Sequence, residues 1–203
     1  MTPVISLICV TYHQTGPLKV FVNSIINQTA PNWRLTVIHD GPDAEFTELM
    51  AVLSAGNEHR ISWFCSMVRF NDYGHSLREQ GLNVADGDYV LITNGDNYYV
   101  PILIAAVTRS ILATDPDVVM FDMIHSHSNP GGRPLPPYSY FRTEYRRQHI
   151  DMGAAVVRRG LARAAGFRDK SYEGDATYFE DVERASGGTL RIDKIPQVLL
   201  VHN

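Results

Sequence analysis

Strand-type and helix-type apolar patterns alternate through the first half of this chain, and that alternation constrains its fold more than any other feature. Val4 to Val10 is a nearly continuous apolar run, as expected of a parallel strand buried on both faces. Leu18, Phe21, Val22, Ile25 and Ile26 then follow the i, i+3, i+4, i+7, i+8 stripe of an amphipathic helix. The alternation continues with a strand at Leu35 to Ile38 and a helix over Phe46 to Leu53. A strand at Ile61 to Val68, a helix over Ser76 to Ala85 and a strand at Tyr89 to Thr93 come next. A helix is expected from Pro101, where proline suits the first turn, and then a strand at Val118 to Ile124. Short connections between such elements favour right-handed crossovers, so the predicted class is α/β: a doubly wound, mostly parallel sheet with helices on both faces.

Ser126 to Pro137 interrupts the pattern with six Gly and Pro residues and almost no large apolar ones. A loop of that length suggests a flap or a junction. Beyond it we expect a strand at Ala154 to Val157, helices near Leu161 and Ala176, and strands near Leu190 and Val198. The length of 203 residues fits a single domain over 1–203, with halves at 1–105 and 106–203.

A net charge of -4 argues against sequence-independent nucleic-acid binding, which rewards clustered cations. Arg142, Arg146, Arg147, Arg158, Arg159, Arg163 and Arg168 nonetheless crowd the last third, as a solvated face or as a patch for anions or a membrane surface. Cys9 and Cys65 fall in apolar runs and read as small buried hydrophobes. No signal-type leader opens the sequence, and no run of about 18 apolar residues spans a bilayer. The expected location is cytoplasmic, with any membrane contact peripheral.

In doubly wound sheets, ligands bind beyond the carboxyl ends of the strands. Three predicted strands end in Thr11-Tyr12-His13, His39-Asp40-Gly41 and Thr93-Asn94-Gly95-Asp96-Asn97-Tyr98-Tyr99. An aromatic ring there can stack on a base, and a carboxylate can accept from a base N–H. A carboxylate flanked by Asn can hold a hard cation that bridges two phosphates.

The order of these pieces resembles the family 2 glycosyltransferases, which have the GT-A fold. The resemblance runs from Ile5 to Asp43 through Gln28, Trp33 and Asp40-Gly41. It continues in Gly74-His75-Ser76-Leu77-Arg78 and Ala85-Asp86-Gly87-Asp88-Tyr89-Val90, then in Asn94 to Pro101. The last of these stands where the family has Asp-x-Asp, with Asn94 in place of the usual first Asp. After about residue 105 the match is looser, through Ala154 to Arg159, Gly166-Phe167, Asp175 and Val201-His202.

The resemblance implies transfer of a sugar from a nucleotide-sugar, with a UDP-sugar expected, to a glycan or glycolipid acceptor in surface polysaccharide or glycoconjugate synthesis. Inversion of configuration is implied in the same way. Thr11 and Tyr12 would line the base, Asp40 would bind the uracil edge or ribose, and Arg78 would sit near the base or diphosphate. Asn94 and Asp96 would take the two motif positions, Asp96 touching a divalent cation, Mn or Mg. His202 is the expected second protein ligand. Among Glu173, Asp175, Glu180 and Asp181, Asp175 best meets the family's spacing to a following Gly, here Gly187, and is the expected base. Asp181 is the second choice. His125-Ser126-His127 offers a weaker zinc pair and is expected to line the acceptor side.

Three other readings are open. A nucleotidyltransferase needs a Gly-rich basic loop after the first strand, and Thr11 to Pro17 has only Gly16. A dinucleotide-binding oxidoreductase needs G-x-G-x-x-G there, which is absent. A catalytically inactive sugar-nucleotide-binding module is compatible with Asn94.

Overall fold

The computed structural model describes residues 1–203. Its first half runs β1 (Ile5–Thr11), α1 (Thr15–Ile26), β2 (Trp33–His39), α2 (Ala44–Leu53), β3 (Ile61–Cys65), α3 (His75–Val84) and β4 (Tyr89–Asn94). Then come β5 (Tyr98–Tyr99), α4 (Leu103–Thr114), β6 (Val118–His125), β7 (Ser139–Phe141), β8 (Ala155–Arg158), α5 (Arg159–Ala165), α6 (Gly174–Ala185) and β9 (Ile192–His202). All the strands join one sheet, in the order β3-β2-β1-β4-β8-β6-β9-β5, with β7 beside β6. Six of the nine strands point the same way, and β5, β7 and β8 oppose them.

Every residue of β1 is buried because the strand is covered on both faces. Alternate side chains leave a strand on opposite sides. Ile5, Leu7 and Cys9 therefore pack with Phe21, Val22, Phe46 and Val107 from α1, α2 and α4. Ile8 and Val10 pack with Leu77, Ala162 and Val182 from α3, α5 and α6. Contact with α3 is close at Gly81, where an added methyl group would collide with Ile8 Cγ2 and lie 3.3 Å from Ile38 Cδ1. Gly81→Ala should therefore destabilise the fold by about 1–3 kcal/mol, read as a lowered melting temperature with unchanged far-ultraviolet dichroism.

The later elements depart from the sequence reading in three places. The third strand stops at Cys65, not Val68, and Met67 and Val68 are exposed. The two strands expected near Leu190 and Val198 are one, β9. Pro196 lies inside it, and the register against β6 jumps there, from Phe121↔Ile195 to Asp122↔Val198. Proline has no N–H to give the ladder, so the strand continues across it only through a bulge. Third, β8 lies antiparallel between β4 and β6. It is reached through β7 and a loop, without the crossover helix that a parallel return requires.

Ser126 to Pro137 is a loop containing a short 3-10 turn at Pro130–Gly132. Buried Pro130 and a guanidinium bond from Arg133 to the Arg142 carbonyl (2.8 Å) tie it down. Both cysteines are free, Cys9 buried and Cys65 half-buried. Five of the seven crowded arginines have partners within the chain: Arg146 with Glu144, Arg147 with Glu180, Arg158 with Asp115, Arg168 with Asp181, and Arg163 with backbone carbonyls. No helix is long and apolar enough to cross a membrane.

Candidate active site

Pairing register brings the polar strand ends to one level, since Thr11 lies opposite His39 and Val10 opposite Asn94. A cavity of about 440 Å³ opens there, within the range of small-ligand sites. Thr11, Tyr12, Asp40, Asn94 and Asp96 all line it. Arg69, Asn71 and Tyr73 supply the opposite wall.

Each lining group is held by its neighbours. Tyr12 is about one-third exposed, with the Arg69 guanidinium 3.9 Å from its ring centroid. The carboxylate of Asp40 accepts the backbone N–H groups of Phe70 (2.8 Å) and Asn71 (3.0 Å), fixing the wall that carries Arg69. Gly74 continues this wall into α3 with φ +83, and a Cβ there would stand 2.9 Å from Val10 Cγ2. Asp96 accepts weakly from Gln14 Nε2 (3.4 Å) through Oδ2, while its Oδ1 is buried without a partner.

A second cavity, of about 430 Å³, lies on the other side of Asn94, which lines both. Asp175, Glu173, Tyr172, Asp151, His125, His127 and His202 line this one. Strand pairing sets His202 opposite His125, and their rings stack with centroids 4.5 Å apart. Burial, with the neighbouring His202 adding to it, pushes the His125 imidazole down to about 4. Nε2 of His202 lies 3.5 Å from Asp151, and its Nδ1 is buried without a partner. The last residue, Asn203, donates to the Asp96 carbonyl (2.9 Å), so the strand bearing His202 is tied to the Asp96 turn.

Arg78 joins the two cavities from beneath. Only 3% exposed, it donates to Asn94 Oδ1 (3.0 Å), Asp175 Oδ1 (2.7 Å) and His75 Nδ1 (3.0 Å). Because His75 Nδ1 accepts, its Nε2 carries the proton and donates to the Ser171 carbonyl at 2.9 Å. Burial, followed by the Arg78 charge, holds the His75 imidazole below its ordinary range. Asn94 thus serves as an acceptor for Arg78. Asp175 stands in the first turn of α6, half-exposed, with Oδ2 unbonded. Asp181 is buried, bonded to Arg168 (2.6 Å) and Arg184, and lines neither cavity.

The family model for glycosyl transferase family 2 matches residues 6–172. The chain belongs to that family. No curated protein matches it in sequence. Among solved structures, S. aureus TarS 1–349 aligns with a TM-score of 0.75 at 17% identity, over 98% of this chain and 60% of TarS 1–349. TarS 1–349 in complex with UDP-GlcNAc gives 0.75, also at 17% identity, over 98% and 58%. The mannosyltransferase PcManGT from Pyrobaculum calidifontis, in complex with GDP-Man and Mn2+, gives 0.72 at 16% identity, over 100% and 57%. This chain therefore spans about 60% of the length of these proteins, and the likeness establishes the GT-A fold.

Sequence reasoning located Tyr12, Asp40, Asn94, Asp96 and Asp175 on cavity walls but missed Arg69, Asn71, Tyr73 and Asp151. The positive φ of Asn71 (54°) and Tyr73 (58°) belongs to a tight turn ahead of Gly74, and only that glycine hinted at it. Nothing in the sequence marked Arg69.

The Arg78 cluster can be tested on its own. Arg78→Ala leaves Asn94 and Asp175 without their shared donor, and should cost about 1–3 kcal/mol of stability through the lost hydrogen bonds. Urea unfolding measures that cost.

Proposed function

We propose that the protein transfers a sugar from a nucleotide-sugar, a UDP-sugar by preference, to an acceptor hydroxyl with inversion, within a single domain over 1–203. The observation that carries this reading is the pair of cavities meeting at Asn94, with Tyr12, Asp40 and Asp96 in one and Asp175 in the other. Tyr12 and Asp40 would bind the base and ribose, Thr11 would line the turn, and the diphosphate would reach Asp96. Arg78 acts through Asn94 and Asp175 and so positions both sides without touching the nucleotide.

The donor set suits a divalent cation, Mn or Mg. Asp96 Oδ1 and His202 Nδ1 are buried ligand-type atoms without partners, on segments tied by Asn203. When bound there, the ion would neutralise charge on the departing diphosphate. Asp175 Oδ2 would take the proton of the acceptor hydroxyl as that oxygen bonds to the anomeric carbon and the carbon–diphosphate bond breaks. Arg78 holds the other oxygen and so fixes the direction of the free lone pairs. Glycans or glycolipids of surface polysaccharide synthesis are the acceptor class we favour.

Calorimetric titration of nucleoside diphosphates tests the reading. Micromolar binding of UDP that requires Mn or Mg is the expected result. Failure of every nucleoside diphosphate to bind, with or without metal, would remove the donor site. Metal-dependent binding with no turnover of any donor would instead identify an inactive binding module.

A further inference from the structure

Behind the donor cavity, three side chains that the proposed reaction does not use converge on one point. His13 follows Tyr12 at the end of β1, His39 closes β2 just before Asp40, and Asp43 caps α2. One ligand atom from each lies within 4.8 Å of the other two.

Hydrogen bonding fixes what these atoms offer. His39 is buried, and its Nδ1 lies 2.8 Å from the Gly41 carbonyl, which can only accept. Nδ1 therefore carries the proton, and Nε2 presents a lone pair. A backbone carbonyl on the far nitrogen is the usual orienting partner of a metal-binding imidazole. Asp43 Oδ1 accepts the Phe46 N–H (2.7 Å) as the helix cap. That bond is the first cause holding the carboxylate below its ordinary range. Oδ2 is left 3.0 Å from His13 Nδ1 and 3.7 Å from His39 Nε2.

A carboxylate oxygen and an imidazole lone pair thus face each other with no proton of their own between them. That lone pair accepts one long hydrogen bond, from the His13 backbone N–H at 3.3 Å, which a metal ion would displace. Around a tetrahedral ion with ligands at 2.0–2.1 Å, neighbouring ligand atoms stand about 3.3 Å apart, and the two measured separations bracket that value. The same residues line a small cavity of about 50 Å³, enough for a bound water. Thr11 lines it too, and its Oγ1 is buried without a partner.

We propose that His13, His39 and Asp43 form a site for a divalent transition metal of the zinc class, separate from Asp96 and His202. Two imidazoles with a single carboxylate favour such an ion over magnesium, whose sites are built mainly from oxygen. His13 is adjacent to Tyr12, and His39 to Asp40. The ion would therefore lock together the two strand ends that wall the donor cavity, raising stability and fixing the cavity's shape before nucleotide arrives.

Cobalt(II) serves as the visible probe, added to metal-free protein without nucleotide. The wild type should take up one equivalent with the intense absorption of a four- or five-coordinate ion. His13→Ala removes a largely exposed ligand, and Asp43→Asn keeps a capping oxygen for Phe46, so both variants should fold. Each should bind cobalt at least ~100-fold more weakly, since even orienting partners of ligands are worth 10–100-fold. Asp96→Asn should retain the spectrum. Zinc at a hundredfold excess over its Kd should raise the wild-type melting temperature by roughly 5–10 °C and leave both ligand variants unmoved. A missing spectrum in the wild type, an unchanged one in either ligand variant, or its loss in Asp96→Asn would each overturn the site. None of these readings depends on whether a nucleotide-sugar binds.

Discussion

Asp96→Ala should abolish metal-dependent UDP binding and lower kcat/KM by at least about 10³, because a cation on the leaving diphosphate is worth several kcal/mol in the transition state. The physical basis is the state of this carboxylate in the fold. Oδ1 is buried with no hydrogen bond, and Oδ2 has only a long contact to Gln14. An unsatisfied buried acceptor costs roughly 1–3 kcal/mol, so the fold carries a penalty here that a bound cation would offset. Asp96→Ala should therefore leave the melting temperature of the metal-free protein unchanged or slightly raised while removing the metal effect. Titration of UDP with Mn and again with EDTA separates the outcomes. If Asp96→Ala bound UDP with undiminished, metal-dependent affinity, the cation would have to be held elsewhere.

Asp175→Asn should lower kcat by about 10²–10⁴ with the Kd for UDP unchanged, the signature of losing a general base outside the donor cavity. Asparagine can still accept from Arg78 through its carbonyl oxygen, so Arg78 and Asn94 keep their places and the loss reports on proton transfer. Asp181→Asn provides the contrast. That carboxylate is buried between Arg168 and Arg184, remote from both cavities, so its replacement should cost stability and leave kcat within a few-fold. A collapse of kcat in Asp181→Asn, with Asp175→Asn near wild type, would exchange the two assignments.

Much of the first half of the chain was legible because it depends on local sequence. A strand buried on both faces must be apolar throughout, and Ile5 to Thr11 is. A doubly wound sheet then places its polar strand ends at one crevice, which is why Tyr12, Asp40 and Asp96 stand out in the sequence alone. The second half was less legible. Its sheet elements, β7, β8 and the bulged β9, are defined by which strand they lie beside, and no periodicity in a single segment records a neighbour. Arg78 illustrates the limit. From its place on a helix it reads as a solvated residue or a phosphate ligand. The fold buries it and turns its donors toward Asn94, sixteen positions away, and Asp175, ninety-seven away.

The sequence by itself determined the α/β class, the order of the first seven elements and the polar strand ends that line the first cavity. These follow from periodicity and turn chemistry within a dozen residues. The tertiary structure alone decided that β8 enters the sheet antiparallel, that Asn94 divides two cavities, that Arg69 covers Tyr12, and that His13, His39 and Asp43 share one point. Each of those is a distance between residues set by packing and strand register, and register depends on the whole sheet, so no local stretch of the chain contains it.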